Sequence, residues 1–177
     1  MIKPVSVIIP CYNKKEALRK TLGNTVAQLD YENGDELIVS DGKSTDGVEK
    51  MLQRDFSGKV QFVQVEERVG YNLNTVRNLG IRSSKNDVII IFDADCIPQP
   101  GCIELLRRKA EPGVYLSGVV LYEIPYEEQL KQAKKNKGMT LGSILVQNYP
   151  ISEIISRIEA ESEVVRGTIG SSICFMK

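Results

Sequence analysis

Val88-Ile89-Ile90-Ile91-Phe92-Asp93-Ala94-Asp95 is the stretch that decides the fold: an unbroken apolar run, four of its five residues β-branched, ending on two carboxylates. Such a run reads as a buried strand. Open α/β sheets bind ligands outside the carboxyl ends of their strands, and both acids stand at that end. Two carboxylates there invite a hard cation. Oxygen-only ligation suits Mg²⁺ or Mn²⁺, which typically take one or two carboxylates and fill the remaining positions with phosphate oxygens and water. As a bare string, Asp-x-Asp is equally a solvated loop or a helix cap, and its place behind a buried strand favours the ligand reading.

Working outward, further short β-rich runs occur at Val5 to Pro10, Glu36 to Ser40, Val60 to Val65 and Val114 to Leu121, with a last strand within Gly167 to Met176. Helix-like segments lie between them. One follows Asn13, a suitable N-cap with Glu16 three residues on, and carries Leu18, Leu22, Val26 and Leu29 at helical spacing. A second is expected to be capped by Asp46 and to run through Met51 and Leu52; a third spans Asn74 to Ile81. The alternation predicts an α/β fold, a Rossmann-like three-layer α/β/α sandwich on a mostly parallel sheet. From Tyr122 the pattern loosens. Residues 123–160, with a polar helix over Glu127 to Lys137 and an irregular stretch over Gly138 to Pro150, read as an insertion or acceptor-side segment of a single domain, 1–177.

The composition narrows the chemistry. With 177 residues and 42% hydrophobic content, one core of ordinary size is affordable. Lys plus Arg equals Asp plus Glu at 23 each, so no global field favours nucleic acid, and no nucleic-acid partner is expected. Histidine is absent, which excludes Ser-His-Asp and Cys-His catalysis and His-ligated metals together. The four cysteines form no Cys-x-x-Cys pair and read as reduced and structural. No apolar stretch approaches the roughly 20 residues that cross a bilayer. A soluble cytoplasmic chain is expected, with the inner face of the membrane as the alternative location.

Two more segments end at the same edge as the Asp-x-Asp pair. Val5 to Pro10 opens into Cys11-Tyr12-Asn13, where a tyrosine can stack on a nucleobase or simply belong to the core. Leu37 to Ser40 opens into Asp41-Gly42-Lys43-Ser44-Thr45-Asp46-Gly47, whose first acid can accept from a base N–H or merely build a turn.

These segments, with Gly70-Tyr71-Asn72 and Asn74 to Gly80, resemble in order and spacing the signature run of family 2 inverting glycosyltransferases, over about Val5 to Leu106. The resemblance implies the GT-A fold and a nucleoside-diphosphate sugar, expected to be uridine-linked, as donor. It implies that Pro10, Cys11 and Tyr12 line the nucleotide pocket, that Asp41 reads the base, and that Arg77 supports the pocket beside the metal motif. It places Asp93 near the ribose and the metal's waters and Asp95 on the metal, with Ala94 between them in the nucleotide-sugar site. The implied reaction is a metal-dependent transfer, with inversion, to a glycan or lipid-linked acceptor in cell-surface polysaccharide synthesis.

Two departures stand out. Many relatives carry two adjacent acids in the second motif, whereas Gly42 follows Asp41 here and Lys43 occupies a usually small position. Gly167 to Met176 resembles the strand that precedes the family's catalytic-base motif, so the chain is expected to lack its C-terminal part, and the base is unassigned. Glu159, Glu161 and Glu163 read as a charged helix end, and Lys131, Lys134, Lys135 and Lys137 as a solvated face or a patch for a lipid phosphate. The alternative function is an incomplete or non-catalytic nucleotide-sugar-binding module. An aspartyl-phosphate phosphatase also sets Asp-x-Asp after a strand, but Cys96-Ile97-Pro98 follows here instead of Gly-Thr.

Overall fold

The computed structural model describes residues 2–67, 72–117 and 172–176. The chain divides into two units, Met1–Gly118 with Ser171–Lys177, and Val119–Gly170. The second lies outside the described residues, as do the segment expected at 123–160 and the lysine and glutamate clusters within it.

In the first unit the order is β1 (Val5–Cys11), α1 (Lys15–Val26), β2 (Glu36–Asp41), α2 (Val48–Asp55), β3 (Gln61–Gln64), α3 (Leu73–Ser83), β4 (Val88–Phe92), α4 (Cys102–Lys109), β5 (Tyr115–Ser117) and β6 (Ser172–Met176). The sheet runs β3-β2-β1-β4-β6-β5. The first four strands are parallel, and β6 lies antiparallel between β4 and β5. This is the mostly parallel sheet that the alternating pattern predicts.

Side-chain alternation sorts the core into two layers. Val5, Val7 and Ile9 of β1, Leu37 and Val39 of β2, and Val88, Ile90 and Phe92 of β4 pack with Leu18 and Leu22 of α1, Met51 and Leu52 of α2, and Ile103 and Leu106 of α4. Ile8, Ile38, Ile89 and Ile91 face the other way and take Ile81 of α3. Three helices therefore cover one face and α3 the other. Right-handed crossovers put α1 and α2 on one face and α3 on the other: the chain steps outward from β1 to β3, then returns past β1 to β4, and the reversal of direction moves the connecting helix across the sheet. Helix α4 returns to the α1 face, where Ile103 and Leu106 join the same cluster as Leu18 and Leu22. Each wholly buried Ile, Leu or Val side chain contributes about 1.5–3 kcal/mol.

Where α3 meets the sheet, contact is closest at Gly80. A methyl group built there lies 2.4 Å from Ile8 Cγ2 and 3.1 Å from Ser40 Oγ. Ile8 Cγ2 sits on the branch carbon of a fully buried strand residue and cannot swing aside. Gly80→Ala gains about 1 kcal/mol of helix propensity, but overpacking costs about 1–3 kcal/mol. A net loss of stability is expected, read as a lower urea midpoint, with Gly80→Val losing more; an unchanged midpoint for both would mean that α3 stands off the sheet.

A buried ion pair locks the opposite end. The Asp35 side chain is fully buried; Oδ1 accepts from the Val5 N–H at 3.0 Å, and Oδ2 accepts from the Asp30 N–H at 2.9 Å and from Arg107 Nη2 at 2.5 Å. One carboxylate thus joins the start of β1, the approach to β2 and helix α4.

The helix starts differ from the sequence expectation. Asn13 stays outside α1 in the left-handed region, φ 52°, and its Oδ1 accepts from the Thr45 N–H at 2.8 Å. Asp46 does not cap α2, whose N-cap is Gly47 at φ 84°; its Oδ2 accepts instead from the Lys15 N–H at 2.8 Å, at the start of α1. Asn72 caps α3, accepting from the Thr75 N–H at 3.2 Å. Helix α4 has no counterpart in the sequence reading.

Candidate functional site

Because the chain reverses direction between β1 and β4, the loops leaving their carboxyl ends part and open a crevice there, the topological switch point at which such sheets bind ligands. The structure has a cleft of about 190 Å³ at this place, lined by Pro10, Cys11, Tyr12 and Lys14 from β1 and its loop, Asn72, Leu73 and Val76 from the start of α3, and Asp93, Ala94 and Asp95 beyond β4. Six of the eight residues named from sequence are thus brought together. Arg77 joins through Asp93: its Nη2 donates to Asp93 Oδ1 at 2.8 Å, with both side chains about three-quarters buried.

The Asp-x-Asp loop is held from both sides. The Cys96 N–H donates to the Asp93 carbonyl at 2.9 Å, closing a tight turn, and Thr21 Oγ1 of α1 donates to the buried Ala94 carbonyl at 2.9 Å. Ala94 is thereby tucked inward, and Asp95 is left half-exposed at the rim, where its Oδ2 pairs with Lys14 Nζ. Lys14 was not anticipated from sequence. It stands between the β1 loop and α1 as an ordinary polar helix entry, and only the fold carries it 81 positions along the chain to Asp95.

Asp41 lies at the end of β2, beside Cys11 in the strand register, and is fully buried. Its Oδ1 accepts from the Ser44 hydroxyl at 2.5 Å, and its Oδ2 from the Ser44 N–H at 2.8 Å and Gln64 Nε2 at 2.9 Å. It does not line the cleft, but the turn it holds backs two residues that do: the face of Gly42, where a Cβ would lie 3.3 Å from the Tyr12 ring and 3.3 Å from Val76 Cγ2, forms the seat of Tyr12. A Cβ at 42 would make the ring or Val76 give way by a few tenths of an ångström. Lys43 adopts φ 66°, a left-handed conformation that costs a side-chain-bearing residue about 1–2 kcal/mol. This is the physical meaning of a lysine where a small residue is usual.

Cys11 faces the core. Burial pushes its thiol up to about 12, the charges of Asp41 and Asp46 add to this, and a hydrogen bond from the Lys14 backbone works the other way. It stays protonated at neutral pH and serves as a wall of the cleft rather than a nucleophile.

Residues 6–166 match the family model for glycosyl transferase family 2. The chain belongs to that family. It is 35% identical over 104 residues to chondroitin synthase of Escherichia coli, covering 56% of this chain and 14% of that protein. It is 30% identical over 118 residues to poly(ribitol-phosphate) beta-N-acetylglucosaminyltransferase TarP of Staphylococcus aureus strain N315, covering 66% and 33%. Among solved structures it is similar to the mannosyltransferase PcManGT from Pyrobaculum calidifontis in complex with GDP-Man and Mn²⁺, with a TM-score of 0.57 and 26% identity over 67% of this chain and 36% of that one. The family 2 chain therefore has the GT-A fold that its motifs imply, and it spans between about a seventh and just over a third of the length of these relatives.

Proposed function

We propose that this chain is the donor-binding portion of a metal-dependent inverting glycosyltransferase, which takes a sugar from a nucleoside-diphosphate sugar, uridine-linked by preference, and passes it to a glycan or lipid-linked acceptor in surface polysaccharide synthesis. The observation that carries the reading is the placing of Asp93 and Asp95 together at the rim of the switch-point cleft. The donor set fits Mn²⁺ or Mg²⁺. It is all oxygen, both carboxylates are reachable from solvent at 30% and 49% exposure, and no group of three or more His, Cys, Asp or Glu occurs among the described residues that would cage a cation unaided. Such a pair needs phosphate oxygens and water to complete it, which is how these hard cations bind at nucleotide sites.

A cation held by Asp95, with Asp93 beside it, would supply positive charge where the departing diphosphate develops its negative charge. Arg77 keeps the Asp93 carboxylate oriented, and the two anchors of the Ala94 loop keep the pair at fixed spacing, so little reorganisation is left for the reaction. Tyr12, seated on Gly42, offers a ring to the base. Asp41 stabilises the turn under that ring; to read a base N–H directly it would exchange the Gln64 or Ser44 donor for the ligand. Deprotonation of the acceptor falls to no described residue, because the cleft's carboxylates serve the donor. That the relatives include a chondroitin synthase and a poly(ribitol-phosphate) beta-N-acetylglucosaminyltransferase supports the glycan acceptor, and the GDP-Man and Mn²⁺ in PcManGT support a nucleoside-diphosphate sugar and a metal.

Calorimetric titration of the chain with UDP and with GDP, each with and without Mn²⁺, tests it. Binding of one nucleotide at least about tenfold tighter with Mn²⁺ is the expected result; nucleotide binding indifferent to metal, or no binding at all, would sink the reading. Tight binding with no transfer to any acceptor would favour the donor-binding module over a complete enzyme.

A further inference from the structure

We propose that Lys14 is a tethered counter-cation for Asp95, one that surrenders the carboxylate readily only when a diphosphate enters the cleft, so that metal and nucleotide bind as a coupled pair. This rests on the reading of Asp95 as a metal ligand. Three observations carry it. Lys14 Nζ makes a charged hydrogen bond to Asp95 Oδ2, one of the two oxygens through which Asp95 would hold a cation. The root of the lysine is fixed, since the Leu18 N–H donates to its carbonyl at 2.9 Å, the preceding Asn13 N–H donates to Ser44 Oγ at 2.7 Å, and the following Lys15 N–H is held by Asp46. Lys14 and Asp95 also line the same cleft and are about half exposed, so the pair opens without unfolding anything.

A lysine ammonium is a compact charge on a flexible four-carbon stem. From a fixed root it can reach Asp95 or swing to another anion inside the cleft. A divalent cation arriving alone must displace the ammonium and then sit beside it, positive against positive. A diphosphate arriving with the cation gives the ammonium a new partner and the cation new ligands at once. Exposed ion pairs are weak, so the ammonium tunes metal affinity without blocking it. Lys14 should therefore raise the coupling between metal and nucleotide above the level that shared phosphate ligation alone provides, and by linkage the increment is the same whichever ligand is titrated.

The test uses the full chain, with free Mn²⁺ measured by electron paramagnetic resonance as the probe and UDP as the nucleotide. Lys14→Met should bind Mn²⁺ alone about three- to tenfold tighter than wild type, while the factor by which UDP tightens Mn²⁺ binding falls by a similar amount. Lys14→Arg, which keeps the charge, should stay close to wild type. In an Asp95→Asn background the gain that Lys14→Met brings to binding of Mn²⁺ alone should vanish, since the pair is already broken. Equal Mn²⁺ affinity and equal coupling in wild type and Lys14→Met would overturn the proposal while leaving Asp95 as a ligand. No Mn²⁺ binding by wild type or Lys14→Met, even with UDP, would overturn the metal reading itself and the proposal with it.

Discussion

Arg107→Ala is expected to destabilise the fold by about 3–5 kcal/mol, because it leaves the Asp35 carboxylate buried and charged without its cation. Asp35→Ala should cost at least as much. It leaves the guanidinium of a residue only 6% exposed with the more distant, half-exposed Glu104 carboxylate at 3.5 Å, and it also removes the acceptor for the Val5 and Asp30 N–H groups. The two losses should not add in the double variant, since each alone already breaks the same pair. Urea unfolding followed by circular dichroism measures all three. A loss of less than about 1 kcal/mol in either single variant, the range of an exposed pair, would mean that Asp35 and Arg107 do not form a buried lock. The effect lies at the amino-terminal edge of the sheet, so a variant that still folds should bind nucleotide as wild type does.

Asp95→Asn removes a charge from the rim, and its expected signature is a loss confined to one condition. With Mn²⁺ present, UDP affinity should fall on the order of 100-fold, at the upper end of what even a metal ligand's supporting partners are worth. Without Mn²⁺ it should hold or improve slightly, since the released Lys14 ammonium becomes available to the diphosphate. Asp93→Asn should behave differently: the Arg77 hydrogen bond is retained in weaker form, so the metal-dependent loss is smaller and accompanied by some loss without metal. Calorimetry on both variants decides this. An equal loss with and without Mn²⁺ for Asp95→Asn would mean that the residue shapes the cleft rather than holds a cation.

The parallel half of the sheet was legible because strands buried on both faces leave continuous apolar runs, and β4 matches its predicted bounds, Val88 to Phe92. The place of the candidate site in the fold followed from the same cause, since a strand end fixes where Asp93 and Asp95 stand. What escaped the sequence is long-range and polar. Helix α4 buries only a narrow apolar stripe, Ile103 and Leu106, behind Pro98 and Pro100, and its Arg107 looks like one more surface base in Arg107-Arg108-Lys109. Lys14 went unnoticed and Asp46 was assigned to the wrong helix for one reason: each completes its interaction with a residue from another segment, and local spacing carries no trace of the partner. The burial of Asp41 was equally invisible, because Gln64 covers it and becomes its donor only once β2 and β3 pair.

The cap that Asp46 lends to α1 across 31 positions bears on the order in which the molecule forms. Helix α3 takes its cap from Asn72 at its own start; the first turn of α1 gains its Asp46 acceptor only when β1 and β2 are side by side and the turn after β2 has closed. Loop-closure entropy must be met before that hydrogen bond returns anything, which ties the start of α1 to long-range pairing instead of local propensity. The same bond runs in reverse on opening. Fraying of the α1 start and loosening of the turn beneath Tyr12 become a single event, and the mouth of the cleft inherits the cooperativity of the sheet.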